Sequence, residues 1–469
     1  MPAPALDAAV EDVLARSTDE RRADFVEFLR IPSVGGVPAY DADTRRCADW
    51  LAARLRRAGF PTVEVMPTKR HPVVFAEWNG APGAPTVIAY CHYDVQPVEP
   101  LELWVRPPFE PRFEDGKVFA RGATDDKSQL HMHISAAEAM LRARGRLPIN
   151  LKFVFEGEEE SGSEHLDDWL DENRDRLRAD LAVISDGAFF EGNIPAVGYA
   201  LRGLTYMEVK VSGPDLDLHS GGYGGTVENP AHVLASIIAA LHDADHRVTV
   251  PGFYDDVIPL SETEREAFAK LPFDEEAHRE HLGVPQLTGE TGYTTLERRW
   301  GRPTLDVNGI WGGWTGDGPK TIIPAWAAAK LSCRLVPGQD PTRIFELVRD
   351  HVAALTPPTV RSETNLVNIG RPALTPLDHP AAEEAFAALR EAFDREPVFI
   401  REGGSVPVAA SFESMLGLPV VLLGFGAPDG QAHAPNEWML LDNYETGIRA
   451  IVRYWDRLAA RGEELRSAP

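Results

Sequence analysis

The chain has little cysteine, no long apolar run and a shortage of basic residues. Its three cysteines, Cys47, Cys91 and Cys333, are too few for a disulfide framework and too far apart for a cysteine zinc knuckle. No stretch of about 18 apolar residues is present to span a membrane, and the first residues lack the apolar core of a secretory signal. Lys and Arg number 47 against 72 Asp and Glu, an acidic excess that disfavours nucleic acid or an anionic membrane as a partner. We expect a cytoplasmic protein.

The length and the order of apolar segments indicate more than one domain, because 469 residues exceed one ordinary core. Apolar residues recur at helical spacing over Leu6–Phe28. Strand and helix signals then alternate, as in a mixed α/β layer. From about residue 202 the order is strand, helix, strand, strand, helix, strand, which is the ferredoxin-like plan. A polar, helical insertion at 246–300 interrupts it and has little to pack. We therefore predict an α/β domain with a mixed sheet flanked by helices, at 1–201 and 374–469, and an inserted ferredoxin-like α+β domain at 202–373.

Four short apolar runs, each typical of a buried parallel strand, lead into an imidazole or a carboxylate. They lead to His92, to the acidic run Glu156–Glu160, to Asp186 and to the loop that holds His433. Because ligands bind outside the carboxyl ends of the strands in open α/β sheets, we expect these residues to meet at one edge of one sheet. Imidazole and carboxylate groups are ligands of zinc and related divalent cations. The sequence therefore predicts a metal site.

The spacing within these segments indicates a division of labour. Residues i and i+2 of a strand share a face, so the carboxylate of Asp94 can orient the ring of His92. Asp125 stands in a turn before a helix, where its carboxylate can bridge two ions. Glu159 and Glu160 are adjacent and point in different directions, so one can bind metal while the other acts as a base. Two cations that share a water would lower its pKa, and the free Glu would carry its proton to the leaving amine.

Each of these features, taken alone, has a plainer interpretation. A single His at a strand end is more often structural, and an acidic run is more often a solvated loop. Asp125-Asp126 is also typical of a helix N-cap, and Asp186-Gly187 of a turn. The joint placement of imidazoles and carboxylates at strand ends is what favours a metal site.

Eight motifs, in order and over nearly the whole chain, resemble those of the M20 metallopeptidases, most of all the dipeptidases of the carnosinase type. They are His92–Pro97, Arg121–Lys127, Glu156–Ser163, Ser185–Asp186, Asp217–Gly221, Cys333–Pro337, Arg401–Pro407 and His433–Glu437. The resemblance implies a two-metal exopeptidase that hydrolyses dipeptides. It also implies that the inserted domain is a lid and dimerisation domain, and that the protein is a homodimer.

The resemblance assigns roles residue by residue around the expected cations, which would be zinc, or alternatively manganese or cobalt. Asp125 would bridge the two cations, and the peptide bond that follows it would be cis. Glu159 would be the general base and acid, and Asp94 would orient a ligand ring. The five implied metal ligands are His92, Asp125, Glu160, Asp186 and His433.

The resemblance also implies residues that bind the substrate. Arg334 would hold the substrate carboxylate, with Thr321, Gly404 and Ser405 assisting, and His219 would stabilise the oxyanion in the partner subunit's active site. Without the resemblance, His219 is interpreted as a loop residue and Arg334 as a surface charge on a strand.

Other functions remain open on the sequence alone. An N-acyl amino acid deacylase, a carboxypeptidase or a desuccinylase would use the same metal site with a different pocket. A non-catalytic binding protein would have lost the base or a ligand, and neither Glu159 nor any implied ligand is missing. A serine hydrolase that uses Ser405 is disfavoured, because Gly403-Gly404-Ser405 is not a nucleophile elbow.

Overall fold

The computed structural model describes residues 6–403 and 407–467. These residues form two compact units. The first runs to Tyr199, resumes at Thr375–Ile400 and continues from Pro407, and the second comprises Ala200–Leu374 and the segment that begins at Arg401. None of the described helices combines the length and the apolar character needed to cross a lipid bilayer.

The strands are numbered in chain order. They are β1 (Thr62–Met66), β2 (Val73–Trp78), β3 (Thr86–His92), β4 (Arg112–Glu114), β5 (Lys117–Phe119), β6 (Asn150–Glu156), β7 (Leu181–Ile184), β8 (Ala196–Leu201), β9 (Gly203–Ser212), β10 (Leu218–His219), β11 (Thr304–Gly312), β12 (Ile322–Ile323), β13 (Trp326–Leu335), β14 (Arg361–Gly370), β15 (Ala373–Leu374), β16 (Val398–Glu402), β17 (Val420–Leu422) and β18 (Trp438–Leu440).

The α-helices are numbered in the same way. They are α1 (Ala8–Arg16), α2 (Thr18–Leu29), α3 (Asp41–Ala58), α4 (Lys127–Arg144), α5 (Leu166–Glu172), α6 (Ser220–Tyr223), α7 (Pro230–Ala240), α8 (Glu262–Ala269), α9 (Glu275–Leu282), α10 (Thr295–Gly301), α11 (Pro341–Leu355), α12 (Pro380–Phe393), α13 (Pro407–Leu416), α14 (Leu441–Ala460) and α15 (Gly462–Ser467). The helical spacing of Leu6–Phe28 corresponds to two helices, α1 and α2, which meet at Ser17.

The first unit is built on a mixed sheet, as predicted. Its strand order is β1-β2-β6-β3-β7-β17-β8, with β16 also pairing with β8. The central strands β6, β3, β7 and β17 are parallel neighbours, while β1 and β2 run antiparallel at the edge. Helices α3 and α4 pack against β2 and β3, and α12 and α13 pack against β17. A parallel sheet covered on both faces explains why its strands are unbroken apolar runs.

Strand β3 illustrates this two-sided burial. Val87, Ala89 and Cys91 point into the main core of the unit. On the opposite face, Tyr90 packs against Phe412 of α13 in a T-shaped arrangement, with ring centroids 5.9 Å apart. The three cysteines of the chain are all buried and unpaired. They behave as small apolar side chains.

The second unit confirms the ferredoxin-like plan. Strands β9, β11, β13 and β14 form an antiparallel sheet in the order β11-β13-β9-β14. Helix α7 follows β9 and helix α11 follows β13, and both pack on the sheet. Alternate residues of β9, among them Met207, Val209 and Val211, are buried in the core beneath these helices. This alternation is expected of a sheet with one face on a helical layer.

The prediction that the insertion at 246–300 has little to pack was wrong. Phe268 of α8 and Trp300 of α10 are buried, with ring centroids 5.0 Å apart in an edge-on arrangement. Each of these helices begins with a capping box, which satisfies backbone N–H groups that a short helix cannot pair internally. A buried Glu290 also accepts two hydrogen bonds from Arg302, at 2.7 and 2.8 Å. The polar composition concealed a small core of widely separated aromatic residues.

Candidate metal centre

The parallel strands of the first unit bring the predicted residues to one edge of the sheet. Strand β3 ends on His92 and β6 ends on Glu156, at paired positions of adjacent strands. Strand β7 ends at Ile184, two residues before Asp186. Because all these strands run in the same direction, their carboxyl ends open into one space.

Asp125 lies between the two histidines. Its Oδ1 is 2.9 Å from Nε2 of His92, and its Oδ2 is 2.9 Å from Nε2 of His433. The peptide bond between Asp125 and Asp126 is cis, as the resemblance implies. One carboxylate thus presents a separate oxygen to each of two imidazoles that are more than 300 residues apart in sequence.

Two further carboxylates complete the arrangement around the histidines. Oε2 of Glu160 is 3.1 Å from Nε2 of His433, and Oδ2 of Asp186 is 3.8 Å from Nε2 of His92. The five residues implied as ligands are therefore grouped around Asp125. Glu159 and Glu160 diverge as predicted, since the carboxylate of Glu159 lies with His92 and Asp186 and that of Glu160 with His92 and Asp125.

These donor sets fit divalent cations. In each of the two groups, His92–Glu159–Asp186 and His92–Asp125–Glu160, the potential ligand atoms lie within 4.8 Å of one another. Zinc bonds to histidine nitrogen and carboxylate oxygen are about 2.0–2.2 Å long, so ligand atoms on opposite sides of one cation are about 4 Å apart. The chemistry and the spacing of the residues both match such a cation.

The electrostatics of this cluster show how strongly the acidic groups and the imidazoles interact. Burial by itself disfavours the charged form of His92, but the hydrogen bond with Asp125 and the nearby carboxylate of Asp186 raise its pKa well above the usual value. A hydrogen bond with Asp125 is the main cause that raises the pKa of His433 to about 10. Burial is the main cause that raises the pKa of Glu159. The carboxylates thus stabilise the protonated form of both histidines. The same negative charge would also favour binding of a cation.

Asp94 contacts both the ring of His92 and the acidic loop. Nδ1 of His92 lies 3.0 Å from the backbone oxygen of Asp94, whereas the carboxylate Oδ1 is 3.5 Å away. The carboxylate also accepts hydrogen bonds from the backbone N–H groups of Glu159, at 3.2 Å, and Glu160, at 3.1 Å. Asp94 follows the end of β3, so its side chain is turned toward the neighbouring loop. It contacts the ring of His92 through its main chain and its carboxylate, and it holds the acidic loop through the carboxylate.

The plainer interpretations of the acidic segments do not describe the structure. Asp126 stands at the N-cap of α4, but its side chain makes no capping hydrogen bond. Its Oδ2 accepts instead from the backbone N–H of His92, at 3.1 Å. Glu156 and Glu158, in the acidic run, are 2% and 3% exposed, so this run is not a solvated loop.

Glu437 is the most important residue that the sequence interpretation left without a role. Its buried carboxylate accepts from the backbone N–H groups of Gly122, Thr124 and Asp125, at 2.9, 2.8 and 3.1 Å. It also pairs with Arg121 at 2.8 Å. The sequence signal that could have found it is a Glu inside the His433–Glu437 motif, directly before the apolar segment Trp438–Leu440. A carboxylate in apolar surroundings is costly unless it is paired, so a Glu there predicts a partner.

Gln96 was also missed. Its Nε2 donates to Oε2 of Glu160 at 2.7 Å and to the backbone oxygen of the same residue at 3.3 Å. It lies in the His92–Pro97 motif, four residues after the end of β3. Its amide therefore fixes the carboxylate of an implied ligand.

His219, Thr321 and Arg334 belong to the second unit, where His219 and Thr321 are neighbours. His219 in β10 pairs with Ile322 in β12, and Ser220 N–H donates to the backbone oxygen of Thr321 at 3.0 Å. Arg334 lies in β13, half-buried and opposite Leu204. Gly404 and Ser405 lie outside the described residues.

Comparison with known proteins gives concordant results. Residues 88–457 match the model of "Peptidase family M20/M25/M40". The chain is 33% identical to the Cys-Gly metallodipeptidase dug1 of Schizosaccharomyces pombe, over 96% of this chain and 98% of the relative. It is 31% identical to the Beta-Ala-His dipeptidase of Homo sapiens, over 98% and 94% of the two chains.

Two solved structures share the whole fold. Human carnosine dipeptidase 1 superposes with a TM-score of 0.80 at 30% identity, over 98% of this chain and all of the other. An M20 family metallo-carboxypeptidase, Sso-CP2 from Sulfolobus solfataricus, superposes with a TM-score of 0.84 at 33% identity, over 94% and 99%. The prediction of a metallopeptidase is confirmed, and the chain belongs to peptidase family M20/M25/M40.

Proposed function

We propose that this protein is a metal-dependent dipeptidase that cleaves dipeptides with a free carboxylate end. The observation that carries the proposal is Asp125, whose two oxygens each lie 2.9 Å from a different imidazole. The relatives named as Cys-Gly metallodipeptidase and Beta-Ala-His dipeptidase support the choice of substrate. In this proposal His92, Asp125, Glu160, Asp186 and His433 are the metal ligands.

Glu159 is the proposed general base and acid. Divalent cations held by the ligands would activate water and polarise the scissile carbonyl. The carboxylate of Glu159 takes the proton of the attacking water and delivers it to the leaving amine. Burial raises the pKa of Glu159, which makes its carboxylate a stronger proton acceptor. Asp94 holds the backbone of Glu159 through a hydrogen bond of 3.2 Å.

The second unit supplies the proposed contacts with the substrate. We assign Arg334 to the substrate carboxylate, assisted by Thr321, Gly404 and Ser405, because a guanidinium matches a carboxylate as a two-pronged donor. Nδ1 of His219 accepts from the backbone N–H groups of Gly221 and Gly222, at 3.0 and 3.2 Å.

These acceptor contacts place the proton of the neutral His219 ring on Nε2. That N–H is then available to stabilise the developing oxyanion, in the partner subunit's active site in our proposal. This role of His219 requires a homodimer. In our proposal residues 202–373 are the lid and dimerisation domain, and residues 1–201 and 374–469 are the catalytic domain. Support for the dimer comes from the family resemblance.

The remaining assignments follow from composition and donor type. We propose zinc as the cation, with manganese or cobalt as alternatives, because imidazole and carboxylate ligands accept all three. We propose a cytoplasmic location, because Cys47, Cys91 and Cys333 are unpaired, as is usual in a reducing compartment. The formal charge of −25 argues against nucleic acid and anionic membranes as partners.

A carboxypeptidase is the second candidate. The similarity to the Sulfolobus solfataricus metallo-carboxypeptidase, at a TM-score of 0.84, favours it. The same metal ligands serve both activities, and the length of the substrate on the carbonyl side of the cleaved bond distinguishes them.

The direct test is a substrate panel with metal depletion and restoration. Dipeptides, longer peptides and N-acyl amino acids are offered to the protein before chelation, after dialysis against a chelator, and after add-back of zinc, manganese or cobalt. We expect dipeptides to be cleaved fastest and activity to require the added cation. Activity that survives thorough chelation would reject the metal mechanism, and faster cleavage of longer peptides or acyl substrates would select an alternative.

The variant Glu159→Gln tests the proposed base. It keeps the size of the side chain but removes the proton acceptor, so we expect kcat to fall by about 10²–10⁴-fold with KM and cation content nearly unchanged. The exposed Glu164, changed to Gln, is the matched control for the loss of one charge. A Glu159→Gln enzyme with the kcat of the control would exclude this residue as the base.

A further inference from the structure

Glu158 has a buried carboxylate that takes no part in the proposed reaction. It is 3% exposed and directly precedes Glu159 and Glu160. Its Oε1 accepts from the backbone N–H of His71 at 2.7 Å and from the hydroxyl of Thr68 at 3.0 Å. Its Oε2 lies 2.7 Å from Nδ1 of His165. The carboxylate therefore joins three segments of the first unit.

The backbone of the same residue closes the turn that carries the proposed base. The carbonyl oxygen of Glu158 accepts from the N–H groups of Ser161, at 3.1 Å, and Ser163, at 2.8 Å. Glu159 and Glu160 lie inside this turn. Glu158 thus holds the turn through its main chain and anchors it to its surroundings through its side chain.

A ring of contacts connects this anchor with the other support of the turn. Nε2 of His71 donates to the backbone oxygen of Gly35, at 3.0 Å. Gly35 in turn packs against the carboxylate of Asp94, so closely that a Cβ at this position would lie 2.3 Å from Oδ2. Asp94 accepts the backbone N–H groups of Glu159 and Glu160. The contacts that begin at Glu158 therefore lead through His71, Gly35 and Asp94 back to Glu159 and Glu160.

The charge of Glu158 makes a purely incidental role costly. A buried carboxylate loses its hydration and must recover that free energy from good hydrogen bonds. Glu158 also stands next to Glu159 and Glu160, where each additional negative charge adds repulsion. Its partners, His71, Thr68 and His165, are all different from the residues around Asp125. The carboxylate is thus oriented away from the proposed metal ligands.

We propose that Glu158 and His165 form a positioning pair for the metal centre. The pair fixes the turn so that the side chain of Glu159 lies with His92 and Asp186 while that of Glu160 lies with Asp125. This inference rests on the proposed function, because it assigns the pair to the support of the base and of one metal ligand. Outer supports of this kind alter metal affinity or activity by about 10–100-fold when they are removed.

The experiment compares His165→Ala and His165→Asn with the parent protein. The Asn side chain has an amide nitrogen near the position of Nδ1, so it retains the donor to Glu158. Three quantities are measured for each: the dissociation constant of zinc, by competition with a chelating dye, the kcat and KM for a dipeptide, and the unfolding midpoint in urea. Glu164→Gln is the control, because Glu164 is exposed and adjacent to His165.

For His165→Ala we expect zinc affinity and kcat to fall by about tenfold while KM changes by less than about twofold. His165→Asn should recover most of both losses, and the control should match the parent. Glu158→Gln provides a second variant on the other partner and should show the same pattern as His165→Ala.

The proposal is overturned if His165→Ala has the zinc affinity and kcat of the parent. It is also overturned if His165→Asn is as impaired as His165→Ala, because the pair would then contribute packing and not a directed hydrogen bond. A parent protein without peptidase activity would reject the proposed function, and zinc affinity would still report on the positioning pair separately.

Discussion

Removal of the Glu437 carboxylate should damage both the fold and the metal centre. This side chain, 1% exposed, pairs with an equally buried Arg121. It also accepts the backbone N–H groups of Gly122, Thr124 and Asp125, with donor–acceptor distances of 2.8–3.1 Å. It therefore shapes the loop whose last residue lies between the two histidines. Glu437→Ala removes the acceptor for all four donors at once.

The magnitude follows from what is left behind. Breaking a buried ion pair by removing one partner costs about 3–5 kcal/mol, because the remaining charge has no compensation. Hydrogen bonds to charged groups contribute about 1.5–3 kcal/mol each, but they share one carboxylate and are not additive. We expect Glu437→Ala to lower the free energy of unfolding by about 3–5 kcal/mol. Because Asp125 loses a backbone contact, zinc affinity should also fall by about 10–100-fold.

The assay is urea unfolding of the cation-free protein, followed by tryptophan fluorescence and by circular dichroism, together with a zinc titration. A double variant, Arg121→Met with Glu437→Leu, separates the ion pair from the support of the loop. Replacing both charges by apolar groups removes the unpaired guanidinium, so this variant should be more stable than Glu437→Ala. Its zinc affinity should remain low, because no acceptor holds the backbone at Asp125.

Two results would refute this reasoning. The first is a Glu437→Ala variant whose free energy of unfolding lies within about 1 kcal/mol of the parent, which is the scale of one ordinary hydrogen bond. The carboxylate would then not be the anchor that its four contacts indicate. The second is a double variant that binds zinc as tightly as the parent, because the loop around Asp125 would then hold its shape without Glu437.

The pKa of His433 is raised to about 10, chiefly by its hydrogen bond with Asp125, and a histidine must lose its proton to bind a metal, so zinc binding at pH 7.5 should release at least one proton. Calorimetry in two buffers of different ionisation enthalpy measures the number of protons released. A value of zero would contradict the prediction. The stabilisation that this raised pKa gives the cation-free protein is complete below the unfolded pKa of about 6.5 and is lost as the pH rises through 10. The unfolding midpoint without cations should therefore decline over that pH range. A flat profile would count against the hydrogen bond between His433 and Asp125. Gly35→Ala should lower kcat by at least about tenfold and destabilise the protein by about 1–3 kcal/mol, since its Cβ would lie 2.3 Å from Oδ2 of Asp94. Gly36→Ala, with no atom within 4 Å of its Cβ, is the control, and equal behaviour of the two variants would refute the close contact.

Much of the fold was predictable because its signals are local. An unbroken apolar run ending on His92 identifies a buried strand, and the following residues identify the strand end. The order of strands and helices after residue 202 identifies the ferredoxin-like plan, since that plan depends on the sequence of elements. The packing of the insertion was not predictable, because Phe268 and Trp300 are 32 residues apart and only the folded chain joins them.

The sequence by itself determined which residues are chemically able to bind a cation, and in which motifs they stand. Residue type, spacing and strand period are properties of the chain, and they point to His92, Asp125, Asp186, His433 and the Glu159-Glu160 pair. The family resemblance, and not the spacing, assigns the ligand role to Glu160. The tertiary structure alone decided which atoms meet. A hydrogen bond depends on direction over a few tenths of an ångström, and sequence spacing does not specify direction. For that reason the sequence did not show that the Asp94 carboxylate holds the acidic turn as well as contacting the imidazole, or that Glu437 supports the Asp125 loop from more than 300 residues away.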